Sequence, residues 1–375
     1  MMAGRRDTYL DWNATAPLRP EAAAAITHGL TLGGNPSSVH RRGRAARQLV
    51  ERSREQVAAL VGVSPDGVVF TSGGTEANHL ALLGSGRVRV LVSAVEHSSV
   101  LQAVPDAERI PVDQNGIVDP AELGALLAID DRPALVSVML ANNETGVIQP
   151  VRELAAIAHA RGALFHCDAV QAAGKIPVLF AEIGADFLTL SAHKIGGPAG
   201  IGALVVAPGV EIAPSQRGGG QERNRRAGTE NLAGIAGFAA AAAGSDPVEY
   251  DAVRALRDRL EASLAPGAII IGAGVARLPN TSAIAMPGVA AETQVIALDL
   301  DGVMVSAGAA CSSGKVGPSH VLAAMGAAPD IAGSTIRVSL GWSTTEADIA
   351  HFIDAWTALS QRTIGRRTRG RAKAA

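Results

Sequence analysis

The sequence predicts an α/β protein: a large domain on a mostly parallel sheet flanked by helices, then a smaller α+β C-terminal domain. Short apolar runs of β type alternate with amphipathic helical patterns up to about residue 206. A Gly-Asp-Pro junction, "GSDPVEY" (244–250), then opens a stretch with a different order of elements. Composition agrees. Of 375 residues 47% are hydrophobic and 18% charged, which fits a globular chain rather than a disordered one. Aromatics are only 3% against 42 glycines, so small aliphatic side chains and close backbone packing are expected to build the core.

In chain order, "SVHRRGRAARQLVERSREQVAALVG" (38–62) places Ala46, Leu49, Val50, Val57, Leu60 and Val61 on one helical face, with arginines and glutamates opposite. The β-type runs are 67–71, 88–93, 134–140, 163–167, 186–190 and 202–206, and helical patterns such as "VRELAAIAHARG" (151–162) separate several of them. "NLAGIAGFAAAAAG" (231–244) is too short and too rich in small residues to span a bilayer and reads as a buried helix. After the junction come a helix at 251–265, strand-like pieces at 268–273 and 334–340, and a final helix at 345–362. The basic end "GRRTRGRAKAA" (365–375) lacks apolar residues and reads as a frayed, solvated tail. No internal repeat is visible.

A formal charge of −2 gives no electrostatic reason to expect nucleic acid or an anionic membrane as a partner. The N-terminus has two arginines but no apolar segment after them, so it does not read as a signal peptide. Cys167 and Cys311 are too few for a disulfide framework. A cytoplasmic protein is expected.

Five strand ends carry candidate chemistry. "FTSGGTEANHLAL" (70–82) runs from a strand through Ser-Gly-Gly-Thr into a helix, where backbone N–H groups and Thr75 can hold a phosphate; a glycine turn capping a helix is the plainer reading. Asp168 follows an apolar strand and faces either a ligand crevice or a helix N-terminus as its cap. His97 can stack on a planar cofactor, act as acid or base, or cap a helix. Asn142 and Asn143 close another strand, holding a substrate or cofactor oxygen, or making a turn. Lys194, after Ser191, Ala192 and His193, is an amine in a crowded glycine-rich turn. An amine, an acid for a pyridine nitrogen and a phosphate cradle are the parts that lysine Schiff-base chemistry on pyridoxal phosphate requires.

At these residues the chain resembles the cysteine desulfurases of the nitrogen-fixation and iron–sulfur-cluster-assembly type, in the class V aminotransferase group of fold-type I pyridoxal-phosphate enzymes. The matching motifs include "YLDWNATAPLRPE", "GNPSSVH", "FTSGGTEANHLAL", "VEHSSVL", "ANNETG", "HCDAVQAAGK", "LSAHKIGGPAGIGAL", "GGGQERNRRAGTEN", "SAGAACSSGKVGPSHVLAAMG" and "STIRVSLGWSTT", in order from about residue 8 to 345. The implied fold has a mostly parallel sheet of the seven-stranded type. Its large cofactor-binding domain is taken as 14–247, its small domain as 1–13 plus 248–364 with the cysteine loop, and its basic flexible tail as 365–375.

The resemblance also implies roles. Lys194 would carry the cofactor as a Schiff base, Asp168 would pair with the pyridine nitrogen, Gln171 would contact the phenolic oxygen and His97 would stack on the ring. Gly74, Thr75, Ser191 and His193 would hold the phosphate, and Thr229 would reach it from the second subunit of a homodimer. Asn143 and Arg337 would bind the substrate, Arg337 clamping its carboxylate with a planar fork.

The choice among pyridoxal-phosphate reactions turns on Cys311, set among Gly308, Ala309, Ala310, Ser312, Ser313 and Gly314, an open setting for a thiol. Cys167, inside "ALFHC", reads as core packing. The expected reaction takes sulfur from L-cysteine: Lys194 moves the Cα proton, Cys311 attacks the substrate sulfur and becomes a persulfide, and L-alanine leaves. Cys311 needs proton removal by His97, the substrate amine or the local field. The acceptor would be a sulfur carrier or iron–sulfur scaffold. No stable metal site is expected, although Cys311 could transiently hold a cluster with a scaffold. Two positions depart from the family pattern: Ala199 stands where many relatives have a lysine or arginine, and Asn224 where glycine is common. The rival readings are a selenocysteine lyase or small-molecule aminotransferase on the same fold, or a non-catalytic sulfur-relay platform docking through "RNRR" (223–226) and the tail.

Overall fold

The structure, a computed structural model, describes residues 7–264, 266–308 and 319–374, with side chains to residue 362. Cys311 therefore lies outside the described residues. The chain opens with β1 (Thr8–Tyr9), α1 (Pro20–Leu32) and α2 (Arg41–Leu60). Next come β2 (Val68–Thr71), α3 (Gly74–Gly84), β3 (Arg89–Ser93), α4 (Ser98–Leu101), β4 (Glu108–Ile110) and α5 (Pro120–Ala128). They are followed by β5 (Ala134–Ser137), α6 (Val151–Ala160), β6 (Leu164–Asp168), α7 (Phe180–Ile183), β7 (Phe187–Ser191) and β8 (Gly202–Val206). After α8 (Leu232–Ala243) and α9 (Glu249–Leu264) stand β9 (Ile269–Ile271), β10 (Thr281–Ala285), α10 (Ala291–Leu300), β11 (Val303–Met304) and β12 (Ser306–Ala307). The chain ends through α11 (His320–Ala324), α12 (Pro329–Ala332), β13 (Thr335–Ser339) and α13 (Glu346–Ala374).

The large sheet has seven strands in the order β2-β8-β7-β6-β5-β3-β4. Only β8 runs against its neighbours, so the sheet is mostly parallel as expected. Its strands are apolar without alternation because helices cover both faces. On β7, Leu188 and Leu190 join the core shared with α2, α6 and α8, whereas Phe187 joins the core beneath α3. The expected buried helix is α8, packed on α1 and α2.

The smaller C-terminal domain is built on an antiparallel sheet, β12-β13-β10-β9, with α9, α10 and α13 supplying its separate core. The N-terminal β1 pairs in parallel with β11 in a separate two-stranded sheet.

Two local expectations are corrected. Arg54 was placed on the outward face of its helix, but it is only 4% exposed. Nη1 and Nη2 donate to Glu222 at 2.7 and 3.0 Å, so a tertiary ion pair overrides the surface pattern. The final helix does not stop at 362: α13 continues through the basic stretch expected to fray, where arginine, lysine and alanine are all good helix formers. Among the described residues, no helix is long and apolar enough to cross a membrane.

Candidate active site

The parallel strands deliver their C-terminal ends to one crevice, the usual ligand position in such sheets. Asp168 is the last residue of β6 and Ser191 the last of β7, while His97 follows β3 and Asn143 follows β5. Together with Gly74, Thr75, Gln171, His193, Lys194 and Arg337 they line a cavity of about 200 Å³.

One wall is the start of α3. Gly73 is its N-cap and Gly74 its first residue, so N–H groups and the positive helix end face the cavity beside Thr75. The wall depends on a close approach. A Cβ on Gly202 in β8 would lie 2.7 Å from both the Gly73 carbonyl carbon and the Leu190 carbonyl oxygen, so only glycine fits there. Glu76 steadies the loop, accepting from Ser72 N–H at 2.6 Å and pairing with Arg226 at 2.9 Å. That network holds the Glu76 carboxyl below its usual range, against the opposing effect of its burial, which is the largest.

Asp168 is 6% exposed and fully engaged: Oδ2 accepts from Asn78 Nδ2 at 2.8 Å and Oδ1 from the Val170 N–H at 2.9 Å. It turns the chain and faces the cavity; the next helix, α7, starts only at Phe180, so Asp168 is not a helix cap. Asn78 Nδ2 also donates to Ser99 Oγ, which lies 2.8 Å from His97 Nδ1. A polar chain thus joins His97 to Asp168. His97 caps α4, its Nδ1 accepting from the Ser99 N–H at 3.1 Å. Burial pushes its imidazole below the usual value; Asp168 opposes this, and Lys194 and His320 add to it.

On the opposite side Lys194 Nζ donates to the carbonyls of Asn13 and Ala14 at 2.6 and 2.8 Å. His193 is pushed down to about 4 by burial, then by Lys194 and Lys175, and so is neutral at physiological pH. Arg337, in the middle of β13, is 2% exposed rather than a surface arginine. Nη1 donates to the Asn143 carbonyl at 3.1 Å and Nη2 to Asp11 at 2.8 Å, while the buried Nε has no partner among the described residues.

Two expected residues are elsewhere. Thr229 lines a different cavity of about 220 Å³, with Phe70, Ser72 and Arg226, and does not enter the Lys194 cavity of its own chain. Cys311 lies outside the described residues, but Gly308 and Ser319, which flank its segment, are described. Cys167 is fully buried, and burial raises its thiol well above the usual value, as packing predicts.

Sequence reasoning missed several contributors. Asn13 and Asn78 line the cavity, and both sit inside quoted motifs without having been singled out. Glu96 is wholly buried behind Asp168, with Oε1 accepting from the Met139 N–H at 2.6 Å and Oε2 without a partner among the described residues. Burial first, and Asp168 second, raise its carboxyl well above the usual value. Among the described residues no group of His, Cys, Asp and Glu is arranged to hold a metal ion.

The sequence matches the family described as aminotransferase class-V over residues 8–352. A cysteine desulfurase of Cereibacter sphaeroides is 45% identical over 364 residues, covering 92% of this chain and 94% of that protein. The cysteine desulfurase IscS of Dictyoglomus turgidum is 41% identical over 371 residues, covering 93% of each chain. Among solved structures, a NifS-like protein from Rickettsia africae superposes with a TM-score of 0.88 at 38% identity, covering 95% of this chain and all of that one (100%). Matched along most of its length by the family and by these relatives, the chain belongs to the class-V aminotransferase family.

Proposed function

We propose that this protein is a cysteine desulfurase that uses pyridoxal 5'-phosphate to take sulfur from L-cysteine, leaving L-alanine and a persulfide on Cys311. The observation that carries the reading is the convergence of Lys194, Asp168, His97 and Arg337 on one cavity, in a chain 45% identical to a cysteine desulfurase.

The residues present fit the cofactor. An anion cradle at the start of α3, an acid at the end of β6 and an amine on the far wall supply its three anchoring points. Gly74, Thr75, Ser191 and His193 would hold its phosphate, with Thr229 supplied by the second subunit of a homodimer. Asp168 would pair with the ring nitrogen, Gln171 would meet the phenolic oxygen and His97 would lie against the ring. Lys194 would anchor it covalently. When bound, the cofactor supplies an electron sink for negative charge at the substrate Cα.

The protein's own residues do the rest. Arg337 has a buried Nε without a partner among the described residues, and it orients the substrate carboxylate with the help of Asn143. Lys194 takes the Cα proton and carries it. His97, held neutral by burial, can accept a proton from a thiol entering the cavity. Cys311 Sγ as thiolate attacks the substrate sulfur. The S–S bond forms and the Cβ–S bond breaks, with its electron pair left on carbon, which is protonated and leaves as alanine. The persulfide then passes to an acceptor protein of the iron–sulfur scaffold or sulfur-carrier class, in the cytoplasm.

The test is product release from L-cysteine with a thiol reductant. The wild type should give equal sulfide and alanine, and Cys311→Ser should give neither. Full activity in Cys311→Ser, or sulfide without alanine, would overturn the assignment.

A further inference from the structure

Glu144 is 5% exposed and sits one residue beyond Asn143 in the turn that follows β5. The turn is built to aim it. Asn142 Oδ1 accepts from the N–H groups of Glu144 and Thr145, both at 2.9 Å, and Asn142 Nδ2 is tied to the Val95 carbonyl at 3.0 Å. Glu144 Oε2 then accepts from Ser319 Oγ at 2.6 Å. The same oxygen lies 3.0 Å from where a Cβ on Gly308 would stand, so any side chain at 308 would crowd the carboxylate. Ser319 is itself fixed, capping α11 by accepting from the Leu322 N–H at 3.1 Å.

Gly308 and Ser319 are the residues on either side of the segment 309–318, which holds Cys311. One oxygen therefore holds one flank of the nucleophile's segment by a hydrogen bond and leaves no room for a side chain on the other. The anchor also joins the substrate site, since the Asn143 carbonyl accepts from Arg337. We propose that Glu144 is the positioning residue for Cys311, its Oε2 bonding Ser319 where the segment rejoins the fold and restricting position 308, where the segment leaves it, to a residue without a side chain. The proposal rests on the reading of Cys311 as the sulfur acceptor.

The contact makes separable demands. A glutamine at 144 keeps an oxygen that can accept from Ser319, whereas alanine does not. Substrate binding through Asn143 and Arg337 needs neither, so losing the anchor should lower the turnover of bound substrate and leave its binding alone.

The experiment uses holoenzyme of the wild type, Glu144→Ala, Glu144→Gln, Ser319→Ala, Gly308→Ala and Cys311→Ser. It measures sulfide formation from L-cysteine, resolved into kcat and KM, and the rate at which iodoacetamide labels Cys311. Glu144→Ala and Ser319→Ala should each lose about tenfold in kcat at unchanged KM, the size expected for one buried hydrogen bond. Their Cys311 labelling rates should shift in parallel. Glu144→Gln should stay close to wild type, and combining Glu144→Ala with Ser319→Ala should cost far less than the product of the two losses. Gly308→Ala should lower kcat from the other flank, and it carries the test with Ser319→Ala if Glu144→Ala does not fold. Unchanged kcat and labelling in Glu144→Ala and Ser319→Ala, with Cys311→Ser inactive, would overturn the positioning role alone. Full activity in Cys311→Ser would overturn the desulfurase reading beneath it.

Discussion

Lys175 Nζ donates to Gln171 Oε1 at 2.9 Å, and that bond sets the orientation of the Gln171 amide in the wall of the active-site cavity. The amide oxygen is committed to the lysine, so Nε2 is the end left to donate, here to the Asn13 carbonyl at 3.0 Å. Lys175 also donates to Asn13 Oδ1 at 3.0 Å and is 2% exposed. A buried lysine amine thus orders two side chains that line the Lys194 cavity.

Removing that amine has a pH signature. Burial first, then Lys194 and Arg337, hold Lys175 well below its usual value of 10.5. The unfolded chain therefore binds the extra proton more tightly, and stability from this residue is full above the unfolded value and falls as pH drops. Relative to Lys175→Met, the wild type should gain stability between pH 7 and pH 9.5, read as urea midpoints. Lys175→Met should also shift the cofactor's absorbance, because Gln171 can then rotate. An unchanged spectrum would separate Lys175 from the site.

Glu144 predicts the opposite slope. Burial raises its carboxyl to about 7 against the pull of Ser319 and Arg337, from an ordinary 4.5. A raised folded value means its contribution is full below the unfolded value and lost as pH rises through about 7. The wild type should lose up to about 3 kcal/mol relative to Glu144→Gln between pH 4.5 and pH 8, since one pKa unit is worth about 1.4 kcal/mol. Parallel stability curves for the two proteins would show that Glu144 does not titrate in the fold.

Gly202 predicts a coupling between packing and cofactor retention. A methyl at this position meets backbone on both sides, at 2.7 Å from the Gly73 carbonyl carbon and the Leu190 carbonyl oxygen, so the strand or the cradle must shift. Gly202→Ala should cost about 1–3 kcal/mol of stability, the usual range for overpacking. It should also release cofactor faster in dialysis than the wild type. Normal retention in a destabilised variant would mean that β8 moves instead of the cradle.

What the sequence made legible follows from where each residue gets its partners. Asp168, Ser191 and His97 stand at or just after strand ends, a position set by local pattern and by the rule for parallel sheets. Asn13 is different: it lies 181 residues from Lys194, and only the fold brings its carbonyl to that amine. Lys175 and Glu144 do not stand out in the sequence because their partners, Asn13 for one and Ser319 for the other, come from distant segments. Arg54 misled for the same reason, since helical periodicity cannot see Glu222 across 168 positions. The short strands β4, β11 and β12 were missed too, their two or three residues giving no periodic signal.

The most direct test of the account is the mass of the Cys311 peptide after holoenzyme meets L-cysteine without reductant. The account predicts that the peptide gains one sulfur atom, reversed by a thiol reductant, with one alanine released for each sulfur gained. Alanine formed while Cys311 stays unmodified and Cys167 or no cysteine carries the sulfur would contradict it.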